Sequence, residues 1–293
     1  MKLLGKFNLI LFVAFGFAAI VISTISYFFL VDNARRQVLE EAQLMMASAT
    51  SMRDYTSDDL LPLLTKNPDH LTHFLPETVP AFAATKIFND LRKKYPDYEY
   101  KEAALNPTNP ADRATDWESD VIHDLRDHPD LTNVVGERDG ATARQLYLAV
   151  PIKATADCMQ CHSTPAVAPA AMIRAYGSTN GFGWKVGETI GAQIISVPLS
   201  VPIAIAKEAH LRLTLLLAVG LVLSIAVLDL GVYLLVIRPL RLASEHADRV
   251  SRGERDVPDF TVRGNDEIAV VTSAFQRMRL SLAKALKMLD DQE

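Results

Sequence analysis

The chain has 293 residues, 49% hydrophobic and 22% charged, which excludes a disordered polymer and leaves room for about two domains of ordinary size. A net charge of −5 without a large basic block gives no footing for nucleic-acid binding, and two cysteines are too few for a disulfide-dense scaffold. The apolar residues are concentrated in two long runs.

Phe7 to Val31 contains no charged residue, and Asn8 is its only strongly polar side chain. This exceeds the roughly 20 residues a helix needs to cross hydrocarbon. Lys2 and Lys6 would suit the start of a signal peptide, but its apolar core runs only about 7–15 residues before a small-residue cleavage site. Here the run ends in Tyr27-Phe28-Phe29-Leu30, side chains suited to an interfacial belt, so residues 7–31 read as an uncleaved transmembrane helix. Asn33 to about Leu64 reads as a long helix continuing from it. Val38, Ala42, Met45, Ala49 and Met52 recur in 4-3-4-3 spacing, which predicts a coiled-coil seam with Met45 and Met52 in a dimer core. Pro76 and Pro80 break the next stretch, Ala81 to Tyr95 reads as a helix, and Asn106-Pro107-Thr108-Asn109-Pro110 is a loop by its turn chemistry. Trp117 to Arg126 is helical; Leu146 to Val150 and Thr189 to Val197 are strands, the second ended by Pro198. Gly177, Gly181 and Gly183 are expected at positive φ or at close backbone approaches. Phe182 and Trp184 are expected either to line a site or to fill the core. This pattern predicts an α+β domain over residues 32–212.

A second apolar run, residues 213–237, contains a single charge, Asp229, and reads as the second transmembrane helix. An ionisable residue inside a span is by default a functional suspicion; a partner across the helix bundle is the plainer expectation. Lys2 and Lys6 precede the first span, and Arg238, Arg241, Arg249 and Arg252 follow the second. The positive-inside rule therefore places both termini in the cytoplasm and residues 32–212 outside, in the periplasm if the membrane is a bacterial inner membrane.

Beyond the second span, Leu240, Ala243, Ala247 and Val250 mark an amphipathic helix that starts at Pro239 and ends at Gly253. A connector with Val257, Phe260 and Val262 follows, and Gly264-Asn265-Asp266-Glu267 opens another helix. There Ile268, Val271, Phe275, Met278 and Leu282 recur at 3-4-3-4, extended by Ala285 and Leu289. Two such helices cannot bury their seams alone, which predicts a parallel four-helix bundle in a homodimer. The Pro239 start and the Asp266-Glu267-Ile268 opening resemble a HAMP domain, the relay unit that follows the last span of many receptors, here over residues 238–289. No kinase, cyclase or methylation motif follows, and His246 is expected at the surface, so no enzyme activity is expected.

Both cysteines lie in Cys158-Met159-Gln160-Cys161-His162. C-x-x-C-H is the attachment motif of c-type haem: two thiols add to the two porphyrin vinyl groups, and the adjacent histidine is brought under the iron as proximal ligand. A thioredoxin-like pair would open a helix in a βαβ unit, whereas residues 157–169 are rich in proline and alanine. A zinc site would want a fourth nearby ligand, and a disulfide this short closes too small a loop to stabilise much. An outward location agrees with covalent haem attachment.

The outer segment resembles the periplasmic c-type haem sensor family with a PAS-like fold. The resemblance rests on Tyr55-Thr56, Leu61-Pro62-Leu63-Leu64, Val79-Pro80-Ala81-Phe82, Asn106-Pro107-Thr108-Asn109-Pro110 and Trp117-Glu118, then on Cys158 to His162, Tyr176-Gly177, Gly181-Phe182-Gly183-Trp184-Lys185 and Val197-Pro198. It implies one covalent haem c held by Cys158 and Cys161, with His162 as proximal iron ligand. In that family the long N-terminal helix approaches the distal face, where some members offer a cysteine; this chain has no third cysteine. Met46 is the candidate distal ligand and Met45 the second. His70, His73, His123 and His128 are expected at the surface, and an open gas-binding iron is the further alternative.

The expected function is a membrane-bound sensor. Haem redox state or a bound small ligand, such as a diatomic gas, shifts the outer dimer, and the HAMP bundle passes the shift to a cytoplasmic partner in trans. The alternative is a membrane-anchored monohaem electron carrier serving a redox partner, against which the HAMP-like segment argues.

Overall fold

A computed structural model describes residues 3–66, 73–140, 143–254, 257–258 and 265–290. The chain divides into two compact units, residues 27–209 and residues 1–26 with 210–293. Helix α1 (Leu3–Tyr55) contributes to both.

The unit of residues 27–209 is built on a four-stranded antiparallel sheet of order β1-β4-β3-β2, comprising β1 (Glu99–Ala104), β2 (Val134–Asp139), β3 (Arg144–Lys153) and β4 (Thr189–Pro198). Strands β3 and β4 cover the two segments expected from sequence. The edge strands β1 and β2 were not expected, because Glu-Tyr-Lys-Glu and Gly-Glu-Arg-Asp carry the charges that protect an open edge from pairing rather than an apolar alternation.

Both sheet faces are covered. On one, α1 and α3 (Pro80–Arg92) pack Val38, Ala42, Met46, Ala49, Ala84 and Phe88 against Tyr100, Leu146, Leu148, Ile195 and Val197. On the other, α4 (Asp116–Asp127) sets Val121, Ile122 and Leu125 against Ala103, Ala149, Ala192 and Ile194. Neighbouring strand residues thus face opposite layers, as the pleat requires. A capping box between Thr115 and Glu118 starts α4.

The seam on α1 differs from the expectation. Val38, Ala42 and Ala49 are buried, but Met46 is buried in place of Met45, and Arg53 and Thr56 continue the inward line in place of Met52. A strict seven-residue seam suits a supercoil, whereas a helix lying on its own sheet follows about 3.6 residues per turn, so the inward face drifts by one residue. The stripe read as a dimer core is therefore occupied within the chain; Met45 and Met52 pack at its margin.

Helix α1 passes into a π-helical turn, Thr56–Leu60, and then α2 (Leu61–Leu64). Helix α7 (Ser200–Val232) likewise passes into a π-helical turn, Tyr233–Ile237, and then α8 (Arg238–Ser251). Both turns stand just before a proline, Pro62 or Pro239. Proline has no N–H to give and its ring crowds the carbonyl four residues back; widening the turn relieves that crowding. Helix α5 (Met159–His162), helix α6 (Ala170–Tyr176) and 3-10 turns at Pro76–Thr78 and Pro110–Asp112 also belong to the unit of residues 27–209.

Two helices, Gly5–Leu64 and Ser200–Ser251, are long and apolar enough to cross a membrane. The second starts ahead of Leu213 because Pro202 is tolerated in a first helical turn. Within the other unit, Asn8 Nδ2 donates to Asp229 Oδ2 at 2.8 Å, and the Ser23 and Thr214 hydroxyls meet at 3.1 Å. Asp229 thus has a neutral amide partner on the other span. The spacing from Asn8 to Ser23 equals that from Thr214 to Asp229, about four helical turns. One antiparallel register accounts for both contacts.

In the HAMP-like region, α8 is followed by Gly253 at a φ of +87°, and Asp266 Oδ1 caps Ala269 N–H at 2.8 Å at the start of α9 (Glu267–Asp290). Val257 is buried, and its carbonyl accepts from Arg279 Nη1. Val271, Met278 and Leu282 are exposed. Phe260, Val262, Gly264 and the side chains of Ala285 and Leu289 lie outside the described residues.

Two measurements test this arrangement. Ser23→Cys with Thr214→Cys should form a disulfide under mild oxidation in membranes, because the facing hydroxyls already bring those positions within bridging range. Ala19→Cys with Thr214→Cys, one turn out of register, should not. At the polar edge of β1, Asp112 has its pKa pushed up to about 6, first by burial and then by the Glu102 carboxylate. Its folded-state pKa is raised, so stability is full below about pH 4 and declines as pH rises toward about 6. Asp112→Asn should therefore raise the unfolding temperature at pH 7 and above, with the advantage vanishing near pH 4.

Candidate functional site

Cys158, Cys161 and His162 share one helical turn. Cys161 N–H and His162 N–H both donate to Cys158 O, at 3.2 Å and 2.9 Å, and both thiols are free and half-buried. Thr155 approaches Cys158 Sγ with its amide at 3.4 Å and its hydroxyl at 3.3 Å. This turn is four residues long, held between the end of β3 and α6.

The imidazole of His162 is fixed on several sides. Nδ1 lies 2.7 Å from the Gly181 carbonyl. A carbonyl only accepts, so Nδ1 carries the proton and the Nε2 lone pair is the one offered to a metal. Trp184 stacks on the ring, with centroids 3.9 Å apart and planes 12° from parallel. Thr108 Oγ1 stands 3.4 Å from Nδ1. Burial lowers the His162 pKa, opposed by the Gly181 bond, and so favours the neutral ring that ligates metals. Burial, then the neighbouring Cys158, pushes the Cys161 thiol up.

Two thiols on one turn beside a neutral imidazole whose lone pair is on Nε2 are the donor set that a c-type haem requires. Among the described residues no cluster of three or more His, Cys, Asp or Glu side chains forms a cage for a free metal ion. Gly181 sits at a φ of +81°, and Gly177 and Gly183 are also at positive φ, in agreement with the sequence reading. Trp184 belongs to the site through its stacking on His162.

The two methionines stand elsewhere. Met46 is buried in the cluster between α1 and the sheet, Met45 packs against that cluster, and none of its members comes from the turn that carries Cys158 to His162. His123 and His128 are exposed, with His128 Nδ1 near Asp124 at 3.0 Å. His73 is also exposed, and His70 lies outside the described residues.

Several participants were not singled out from sequence. Arg53, near the end of α1, is paired with the buried Glu102 on β1. Tyr100 OH donates to Glu102 Oε1 at 2.7 Å and lies 3.2 Å from Gln193 Oε1. Burial works against the Arg53 charge, but Glu102, helped by Tyr100 and Cys158, outweighs it and raises its pKa. Asn106 bonds the backbone around Gly181. Arg53 was hidden one position off the expected seam, and Asn106 sat in a segment legible only as a loop.

The Tll0287-like family matches residues 31–198, and the HAMP domain family matches residues 232–284. The crystal structure of the cyanobacterial haem protein Tll0287 is similar at 16% sequence identity and a TM-score of 0.42, covering 55% of this chain and 94% of that chain. No curated protein matches the chain. With more than half of its residues matched, the chain belongs to the Tll0287-like family and carries a HAMP domain that begins within the helix of its second candidate span.

Proposed function

We propose that this protein is a membrane-bound haem c sensor that signals through its HAMP domain to a separate output protein. Cys158 and Cys161 attach one haem covalently, and His162 Nε2 is its proximal ligand. The observation that carries this reading is the His162 ring: Nδ1 is committed to Gly181, which leaves the lone pair on Nε2, and both thiols lie on the same turn. When bound, haem supplies a one-electron couple or an axial position for a diatomic gas.

The chain's own residues provide the rest. Trp184 and Gly181 hold the imidazole plane, and burial keeps the ring neutral. Met46, with Met45 second, is assigned as sixth ligand, which requires the thioether to leave the core beneath α1. The four-stranded antiparallel sheet with its helical layers supports a PAS-like domain over residues 32–212. The basic flanks of spans 7–31 and 213–237 support a periplasmic outer domain in a bacterial inner membrane, with both termini cytoplasmic. The exposed Val271, Met278 and Leu282 of α9 support a homodimeric four-helix coiled coil over residues 238–289. Such a bundle is the bistable element a relay needs.

The test is to express the full chain with haem-attachment machinery and record spectra, oxidised and reduced, with and without carbon monoxide and nitric oxide. Haem should survive denaturation in the wild type and be lost when Cys158→Ala and Cys161→Ala are combined. Met46→Ala should abolish the weak red charge-transfer band of a methionine–iron bond and open the iron to gas. An unchanged spectrum in both Met46→Ala and Met45→Ala removes the methionine assignment. Absence of covalent haem from the wild type overturns the sensor reading itself.

A further inference from the structure

The loop between β1 and the Pro110–Asp112 turn reaches far along the sequence to meet the backbone beside His162. Asn106 Oδ1 accepts the Gly181 N–H at 3.2 Å, and Asn106 Nδ2 lies 3.5 Å from the Phe182 carbonyl as donor. The same Gly181 residue presents its carbonyl to His162 Nδ1 at 2.7 Å. Gly181 is buried at a φ of +81°, and a Cβ there would collide with Thr108, so only glycine lets the two loops close on each other. Asn106 therefore holds Gly181 from its amide side while Gly181 holds the imidazole from its carbonyl side.

We propose that Asn106 is a positioning residue for the iron site: through Gly181 it sets the hydrogen bond on His162 Nδ1, and thereby the donor strength of Nε2. A carbonyl acceptor on Nδ1–H pushes electron density into the ring and makes the opposite nitrogen a stronger ligand. A stronger donor favours the ferric state and holds the reduction potential down. Thr108 Oγ1, at 3.4 Å from the same Nδ1, is the acceptor at hand when the Gly181 carbonyl is released. A hydroxyl is the weaker acceptor, so release raises the potential. This inference rests on His162 being the proximal ligand.

The experiment is redox titration of the full-length, haem-loaded protein in detergent, comparing wild type, Asn106→Ala and Asn109→Ala. Asn109 belongs to the same loop, but its side chain caps Ala111 N–H instead of holding Gly181. Outer-shell changes alter metal affinity or activity by about 10–100-fold, which sets the scale for the effect on the iron. Asn106→Ala is expected to raise the ferrous-to-ferric ratio at fixed ambient potential by about tenfold, an upward shift of about 59 mV for one electron. The Gly181 amide should also lose hydrogen-exchange protection, while Asn109→Ala keeps the wild-type potential. An unchanged potential in Asn106→Ala overturns the proposal, as does an equal shift in both variants, which would mark a general effect of loosening the loop. If Asn106→Ala does not mature, Asn106→Ser, which shortens the reach to Gly181, is read by the same criteria. Failure of the wild type to carry haem overturns the function proposed above instead.

Discussion

All ten residues of β4, Thr189 to Pro198, are buried, and the architecture of the unit of residues 27–209 follows from covering both faces of that strand. Its alternate side chains need apolar partners on opposite sides, and α1 with α3 supplies one layer while α4 supplies the other. Once β4 is central, β1 and β3 flank it and β2 closes the order, so charged residues can occupy the outer strands. Small residues at Ala42, Ala49 and Ala84 let the helices approach the sheet closely. The same packing places Arg53 over the buried Glu102 at the end of α1.

At the site itself the governing constraint is orientation. A histidine offers two nitrogens, and only the partner of one decides which is available to a metal. Here that partner is a backbone carbonyl on a glycine in a conformation other residues rarely adopt, with an indole stacked across the ring. The burial that favours a neutral imidazole at His162 also pushes the Cys161 thiol up.

The unit that holds the candidate spans is organised by sparse polar contacts. In hydrocarbon-facing helices apolar packing sets no register, and a few hydrogen bonds give it one. Asn8 with Asp229 and Ser23 with Thr214 agree on a single antiparallel alignment. Farther along, the Asp266 cap and the Arg279 bond to the connector organise the HAMP region, while Val271, Met278 and Leu282 on α9 stay exposed within one chain.

The local chemistry was legible in the amino-acid sequence. The two apolar runs, the Cys158 to His162 spacing, the proline-opened and Asp266-opened helices and the central strands all depend on neighbours within a few residues. Tertiary structure decided the rest, because those choices depend on what lies across a gap. The phase of α1 was set by the sheet it rests on, which turned Met46 inward and put Arg53 where Met52 was expected. The charged edge strands exist only because β4 and β3 offer free ladders to pair with. Asp229 found an amide partner on the other helix, and Asn106 found Gly181 across a loop closure that no local pattern announces. Spacing along the chain determined which groups can act together within one turn; packing determined which distant groups hold them in place.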